Sequence, residues 1–450
     1  MEKSASLKSP TLGDSGGQVS GGYQTYWRRM ALPVLVALAL RLVVVSFTYT
    51  DHLNPRRDHW PFGYEAGRIA RAVTTGRGFS DPFFAETGPS AIMGPVYPYL
   101  LAGVFKVFGV YTKASALAIL SLGSLFSALT CVPIFLLARE SFGERVGSWA
   151  PWAWAFFPYA IFFAAEKIWD TCLTTLFVSL LFVAALYLGR TARLAAWIGF
   201  GFLWGVAALT SPSALSLLPF LVGWACYRLH QRGQKWSRAA TAAGLALVLT
   251  LLPWGMRNYL TFHKVIPVRD NFWQLVWECN HGDTALYPVV PGNPSTSEAE
   301  AGQFNRLGEI GYMAEKRREA KAFMAAHPSW VVLVTLRRVA FTWTGAWSLP
   351  HWPPRGDFDP DQPFDPANVI FYTLLSVSAF IGVWRAFREH VDTRWLYVFA
   401  LACFPSVYYV TLPHADHRHP IDPEIVILAV YALVAWRRGS ADVGPPLHGQ

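Results

Sequence analysis

The chain has 450 residues, of which 53% are hydrophobic and only 15% charged, and its mean hydropathy is +0.28. The apolar residues fall into blocks long enough to cross a bilayer, which excludes a pair of soluble domains and implies an all-α polytopic membrane protein. The net charge of +9 does not point to nucleic acid, because Lys and Arg are scattered at the ends of apolar blocks and form no stripe.

Residues 1–26 are rich in Ser, Gly and Lys and read as a disordered cytoplasmic tail. The apolar block that follows starts too late and runs too long for a signal peptide. Arg28 and Arg29 precede the first span, about Met30–Thr48, and the positive-inside rule then places the N-terminus in the cytoplasm. Arg41 interrupts this span and is expected to pair with an acid or a phosphate, or to snorkel to the interface. The following loop, 49–113, is therefore external and gathers acids, bases and aromatics beside a membrane helix. Within it Tyr64–Thr75 has a helical pattern closed by Gly76, while Gly94–Phe108 is apolar but short and holds Pro95 and Pro98. Both predict helices lying along the outer interface.

Six further spans are expected at about Ala114–Ala138, Ser148–Ala165, Thr171–Leu188, Leu194–Leu209, Pro212–Tyr227 and Ala239–Trp254. They complete a seven-span module, 27–254. Its inward loops carry Arg139 and Arg145, then Arg190 and Arg193, then Arg228, Arg232, Lys235 and Arg238, whereas the outward turns EKIWD and TSPS are tight. Residues 255–368 form a polar extracytoplasmic region, in which the apolar run Ser329–Leu349, broken by Arg337 and Arg338, predicts an interfacial or partly buried helix. Three C-terminal spans, Val369–Trp384, Trp395–Thr411 and Ile421–Trp436, fill 369–438, and a cytoplasmic tail occupies 439–450. The sum is about ten spans in the cytoplasmic (inner) membrane, with both termini inside and every elaborate loop outside.

That asymmetry bears on function. A channel or secondary transporter shows ionisable residues at mid-span and a repeat of broken helices. Here the acids, His and Tyr crowd the outer loops, which suits an enzyme working at the outer leaflet. The five cysteines lie in apolar blocks, except Cys279 alone in a polar loop, so neither a disulfide nor a CxxC-type metal site is expected. Gly76-Arg77-Gly78 lacks the strand-turn-helix setting of a nucleotide loop. The outer tryptophans Trp273, Trp277, Trp343, Trp347 and Trp352 read first as an aromatic belt and second as sugar-stacking surfaces.

Several motifs then appear in order. They are Tyr64-Glu65-Ala66-Gly67-Arg68-Ile69-Ala70-Arg71, Gly76-Arg77-Gly78-Phe79-Ser80, Gly94-Pro95-Val96-Tyr97-Pro98-Tyr99, the stretch Gly201–Pro219, Pro253-Trp254-Gly255-Met256-Arg257-Asn258-Tyr259, Val268-Arg269-Asp270-Asn271, and His417-Arg418-His419-Pro420-Ile421-Asp422-Pro423. Together they resemble the C-type integral-membrane glycosyltransferases, in the bacterial group similar to protein O-mannosyltransferases, the lipid A aminoarabinose transferase and the rhizobial core galacturonosyltransferases.

The resemblance implies a polyprenyl-phosphate sugar as donor and a lipid, polysaccharide or protein as acceptor. Such chemistry needs a carboxylate to take the acceptor's proton and positive charge on the leaving phosphate. It implies Glu65 as base with Asp58 second. The relatives often carry an Asp-Glu pair here, and alignment on Ile69-Ala70-Arg71 puts Phe62 and Gly63 in its place. The plainer account of Glu65 is an i,i+3 pair with Arg68. Glu166 and Asp170, in the turn EKIWD, would shape the sugar site or bind an ion, against a plain helix-capping role for Asp170. Arg257 with Asn258 is expected on the lipid phosphate, backed by Arg68, Arg71 and Arg418, with headgroup snorkelling as the ordinary explanation of a span-end Arg. Tyr97, His417 and His419 are expected to contact donor or acceptor. No cofactor or metal is required on this reading, although other C-type enzymes use a divalent ion. A transporter or flippase, or a non-catalytic binder, of lipid-linked sugars is the alternative.

Overall fold

The structure is a computed structural model that describes residues 16–84, 86–281, 292–345 and 366–441. Trp347 and Trp352, with most of both tails, lie outside the described residues. The first helix, α1 (Gly16–Thr48), begins inside the stretch expected to be a disordered tail. Once the apolar span has nucleated, each added residue gains a hydrogen bond, which carries the helix back through the Ser/Gly-rich run.

The first loop folds into α2 (Tyr64–Thr74) and α3 (Val96–Phe108), as expected. At about 1.5 Å per residue α3 is too short for a ~30 Å hydrocarbon core. The two helices pack together, with Phe62 against Phe105 at 5.2 Å. Gly67 lets α2 sit against the turn that precedes it: a Cβ there would lie 1.8 Å from the Phe62 carbonyl oxygen.

Next come α4 (Lys113–Leu129), opened by a reciprocal Thr112/Ser115 cap, and α5 (Cys131–Phe142). The span expected over Ser148–Ala165 is two helices, α6 (Glu144–Ala155) and α7 (Pro158–Ala165). Pro158 cannot continue a helix and forces its predecessor out of the α region. Arg41 serves this break. Fully buried, it donates to the carbonyls of Ala37 (3.0 Å), Trp154 (3.3 Å), Ala155 (3.2 Å) and Ala160 (3.3 Å) and to Ser127 Oγ (3.0 Å). Among the described residues no acid pairs with it and it does not snorkel to the interface; backbone carbonyls and Ser127 take its donors instead.

Helices α8 (Thr171–Leu188) and α9 (Leu194–Thr210) follow. The span expected from Pro212 opens as a 3-10 turn, Pro212–Leu217, before α10 (Leu218–Gln231). Helix α11 (Ser237–Phe262) runs well past the expected Trp254 and packs tightly on α9, where a Cβ on Gly201 would meet the Ala243 carbonyl oxygen at 2.0 Å. The polar region then builds α12 (Phe272–Cys279), α13 (Glu298–Ala326), kinked at Gly308 (φ 68°), and α14 (Pro328–Thr344). Only α14 was legible. Its Arg338 is buried, bonded to the Asn280 side chain (3.1 Å) and the Cys279 carbonyl.

The chain closes with α15 (Pro366–Arg388), α16 (Arg394–Cys403), α17 (Ser406–Tyr409), α18 (Ala415–Arg418), a 3-10 turn at His419–Ile421 and α19 (Asp422–Ala441). Pro405 breaks the span expected over Trp395–Thr411. Five stretches among the described residues have the length and hydropathy to cross a membrane: Arg29–Thr48, Lys113–Phe142, Thr171–Leu188, Ser237–Phe262 and Ala367–Arg388. Of the other expected spans, Ile421–Trp436 lies, from Asp422 on, in α19, which carries Asp422, Glu424, Arg437 and Arg438, and the rest are shorter or interrupted.

Replacing Arg41 by Met removes a buried donor from all of its partners, although the Trp154 carbonyl keeps the Phe157 N–H (3.1 Å) and the Ala160 carbonyl keeps Ser127 Oγ (3.2 Å), and is expected to cost on the order of 3 kcal/mol. The midpoint of SDS-induced unfolding of the full chain checks this. An unchanged midpoint would mean that something other than Arg41 serves the break.

Candidate active site

Asp58 sits in a left-handed turn (φ 44°) after the Asn54-capped 3-10 turn Pro55–Arg57. Arg68 and Arg71, one helical turn apart on α2, both reach back to it, at 2.9 and 3.2 Å. Partial burial acts the other way, but the two guanidinium groups hold the Asp58 carboxyl below its ordinary value. Arg68 is buried and also lies 4.0 Å from the centre of the Phe84 ring. Arg68 and Arg71 thus pair with Asp58, where the sequence suggested a phosphate, and Glu65 feels Arg68 only electrostatically.

Glu65, half-buried at the start of α2, accepts a hydrogen bond from the Asn293 side chain, and burial raises its carboxyl above the ordinary value. It lies within electrostatic reach of Glu278 on α12, which burial pushes up to about 8 and which accepts from Gln274 Nε2 (2.9 Å). Lys316 on α13 completes this buried polar layer: it pairs with Glu300 (2.7 Å) and Glu319 (3.2 Å) and stands 3.5 Å from the centre of the Trp277 ring. Neither Glu278 nor Lys316 was singled out from the sequence.

Arg257, at the end of α11, donates to the carbonyls of Ser90 (2.6 Å) and Phe79 (2.8 Å) and to Asn258 Oδ1 (3.0 Å), with its guanidinium 5.0 Å from the centre of the Trp254 ring. Asn258 donates to the Ile266 carbonyl (2.9 Å). On the other side Glu309 accepts from Ser90 Oγ and Ala91 N–H, each at 2.6 Å. Arg257 and Asn258 therefore latch the first loop, where the sequence suggested a phosphate site.

The remaining candidates converge where the turn 166–170 meets the turn 413–419. Asp170 is buried and caps nothing with its side chain. Burial, opposed by Arg269 and reinforced by Asp416, pushes its carboxyl up to about 7. Asp416 accepts from His414 Nδ1 at 2.6 Å, with His417 Nδ1 at 3.8 Å. In spite of burial, these imidazoles hold it well below the carboxylate range. His417 stacks on Tyr408 (4.3 Å). Tyr97 is buried within reach of Asp170, its hydroxyl raised by burial first and by that acid second. Glu166 stands at the rim beside Lys167 and Asp51, raised by burial.

Arg418 is buried and bonded through Nε to Asp422 (2.9 Å) and through Nη1 to the Thr342 carbonyl (3.1 Å) and Ser376 Oγ (3.4 Å). It lies over Tyr372 at 3.9 Å, and its Nη2 is buried with no hydrogen-bond partner. Arg418, Lys167 and His414 line a cavity of about 240 Å³ whose walls include Tyr159, Phe162 and Tyr372. His419 behaves differently from the expectation. It is fully buried, 3.0 Å from Asp422 and stacked on Trp154 at 5.2 Å, so it supports the turn and offers no surface to a substrate. Lys167 and Arg269 went unnoticed although each stands inside a quoted motif. Among the described residues no group of three or more His, Cys, Asp or Glu is placed to hold a metal ion.

Residues 91–255 match the sequence model of the family described as dolichyl-phosphate-mannose-protein mannosyltransferase. No curated protein matches the chain. Among solved structures it is similar to the archaeal oligosaccharyltransferase AglB from Archaeoglobus fulgidus in complex with an inhibitory peptide and a dolichol-phosphate. The TM-score is 0.55 and the identity 15%, over 95% of this chain and 53% of that one. The Archaeoglobus fulgidus oligosaccharyltransferase tethered with an acceptor peptide gives 0.55 at 14% identity, over 93% and 50%. ArnT from Cupriavidus metallidurans bound to undecaprenyl phosphate gives 0.39 at 15% identity, over 96% and 80%. The chain spans about half the length of the oligosaccharyltransferases it matches. It is thus a polytopic helical membrane protein with the fold of the C-type integral-membrane glycosyltransferases, similar over residues 91–255 to the dolichyl-phosphate-mannose-protein mannosyltransferases.

Proposed function

We propose that the chain transfers a sugar from a polyprenyl-phosphate donor to an acceptor hydroxyl at the outer face of the cytoplasmic membrane. The observation that carries this reading is the aromatic-walled cavity holding Arg418, whose Nη2 is a buried cationic donor without a partner. A buried, unsatisfied guanidinium nitrogen calls for an anion. The lipid phosphate sits there, with Lys167 and His414 beside it and the first isoprene units against Tyr159, Phe162 and Tyr372. AglB was solved with dolichol-phosphate, and the same class of lipid phosphate is proposed here.

Asp170 takes the acceptor's proton. Of the four carboxylates nominated for the first loop and this turn, Asp58 is made a weak base by its two arginines, Glu65 belongs to the layer formed with Asn293 and Glu278, and Glu166 stands at the rim beside Lys167 and Asp51. Asp170, pushed up to about 7 by burial and by Asp416, is poised for proton transfer near neutral pH. The acceptor oxygen forms its bond to the anomeric carbon as the bond to the phosphate oxygen breaks. The electron pair leaves with the polyprenyl phosphate, and Arg418 and Lys167 stabilise the charge that develops there. In-line displacement inverts the anomeric centre. Acceptors on this reading are lipid, polysaccharide or protein.

Proteoliposomes of the full chain, a panel of radiolabelled polyprenyl-phosphate sugars and a membrane extract as acceptor test the proposal. Asp170→Asn is expected to lower transfer by about 10²–10⁴-fold while polyprenyl-phosphate binding persists, and Asp58→Asn and Glu65→Gln are expected to keep most activity. Loss confined to Glu65→Gln would move the base to Glu65. Binding by wild type with transfer from no donor would overturn the enzymatic reading.

Arg418→Lys retains a cation for Asp422 but loses the planar fork, and is expected to weaken undecaprenyl-phosphate binding by roughly tenfold. An unchanged affinity would place the phosphate elsewhere. Transfer is also expected to rise with pH through about 7 as Asp170 ionises. Because Arg269 lowers the Asp170 value, Arg269→Gln shifts that limb to higher pH, and a limb that stays in place would remove Asp170 from the base role.

A further inference from the structure

At the end of the bundle far from Asp170, a groove of about 790 Å³ opens between α9, α10 and α11. Helix α8 carries the chain from one end to the other, and its C-terminal Gly189 lies against Trp224 and Arg228 of α10. Trp204, Val222, Gly244 and Leu247 line the groove, and Tyr227 and Trp236 stand at its mouth. A Cβ added at Gly223 or Gly244 would meet nothing within 4 Å, so the space is open along both helices. Trp236 and Tyr227 are 41% and 57% exposed, the amphipathic placement of residues at headgroup depth. From Trp236 to Leu247 the groove descends about 16 Å along α11 at 1.5 Å per residue, half of a ~30 Å hydrocarbon core. Its length is that of one leaflet.

The turn that closes the mouth, between α10 and α11, supplies Arg232, Lys235 and the nearby Arg238, all exposed. Arg228 pairs with Asp392 at 2.8 Å, but among the described residues no acid pairs with the other three. An apolar slot one leaflet deep under unneutralised cations matches a chain-bearing molecule with a negative headgroup. We propose that this groove binds an anionic diacyl phospholipid, one acyl chain lying between α9, α10 and α11 and the phosphate held by Arg232, Lys235 and Arg238. The site is separate from the Arg418 cavity and does not depend on the reaction assigned there.

Native mass spectrometry of the detergent-solubilised full chain, titrated with dioleoyl phosphatidylglycerol or dioleoyl phosphatidylcholine, tests it. One phosphatidylglycerol is expected to bind at least about tenfold tighter than phosphatidylcholine, since each basic residue near a charged headgroup favours the anion. The combined substitution Arg232→Gln, Lys235→Gln and Arg238→Gln should bring the two lipids to equal affinity. Gly244→Leu, which points into open space and leaves the helix intact, should weaken both. Equal affinity for the two lipids in the wild type, a preference that survives the triple substitution, or wild-type binding by Gly244→Leu would each overturn the proposal. So would displacement of phosphatidylglycerol by undecaprenyl phosphate, which would make the groove part of the polyprenyl path.

Discussion

A helix broken inside a membrane exposes carbonyl oxygens that lipid cannot solvate, and the architecture depends on how that is answered. Arg41 gives the fork of one guanidinium to three carbonyls around the gap between α6 and α7, to Ser127, and to the Ala37 carbonyl of its own helix. The gap has a purpose in the fold. It lets α7 end at the turn that presents Lys167 and Asp170, and it exposes the face of Trp154 on which His419 stacks. Both turns of the candidate site therefore rest, through different routes, on the same buried cation.

Arginine is used throughout as an internal fastener. Arg68 and Arg71 secure Asp58, Arg257 secures the first loop, and Arg338 secures the end of α12. Most of their donors are spent within the protein, and what is left over in Arg68, Arg71 and Arg338 is the inner Nε. Arg418 differs in which nitrogen is left over: Asp422, Thr342 and Ser376 engage Nε and Nη1, and the terminal Nη2 is the one without a partner, on a residue that lines a cavity. Asp170 is distinguished in the same subtractive way. Its nearest cation is offset by Asp416, so burial decides its protonation.

Hydropathy and the distribution of Arg and Lys were enough to read the helical membrane class, the positions of most long helices and the shortness of α2 and α3. They could not reveal where a helix is interrupted. Phe156-Phe157-Pro158 and Phe404-Pro405 are as apolar as their neighbours, and only the lost backbone donor of proline marks the gap. Helix α13 went unseen because its apolar face is thin, and its anchors Glu309 and Lys316 are charged residues that a sequence reading assigns to solvent. The arginines of the site look alike in sequence. What separates Arg257 from Arg418 is whether distant carbonyls use up the guanidinium, and those partners lie far away along the chain. The motifs and the turn EKIWD are scattered along the chain, and the structure brings Tyr97, Asp170, His417 and Arg418 from them into or around one region. They did not reveal which members support and which remain available.

Gly67 carries a consequence for how variation across this chain should be interpreted. The residue has no side chain, no charge and no contact with the Arg418 cavity, yet a Cβ there would collide with the Phe62 carbonyl. Any replacement must lift α2 away from the turn beneath it, and Glu65, Arg68 and Arg71 would be displaced together. In a survey of tolerated substitutions this position would be as intolerant as a reacting carboxylate. The sensitivity would measure the spacing between two backbones, and intolerance in the first loop is thus a poor guide to which residue meets the substrate.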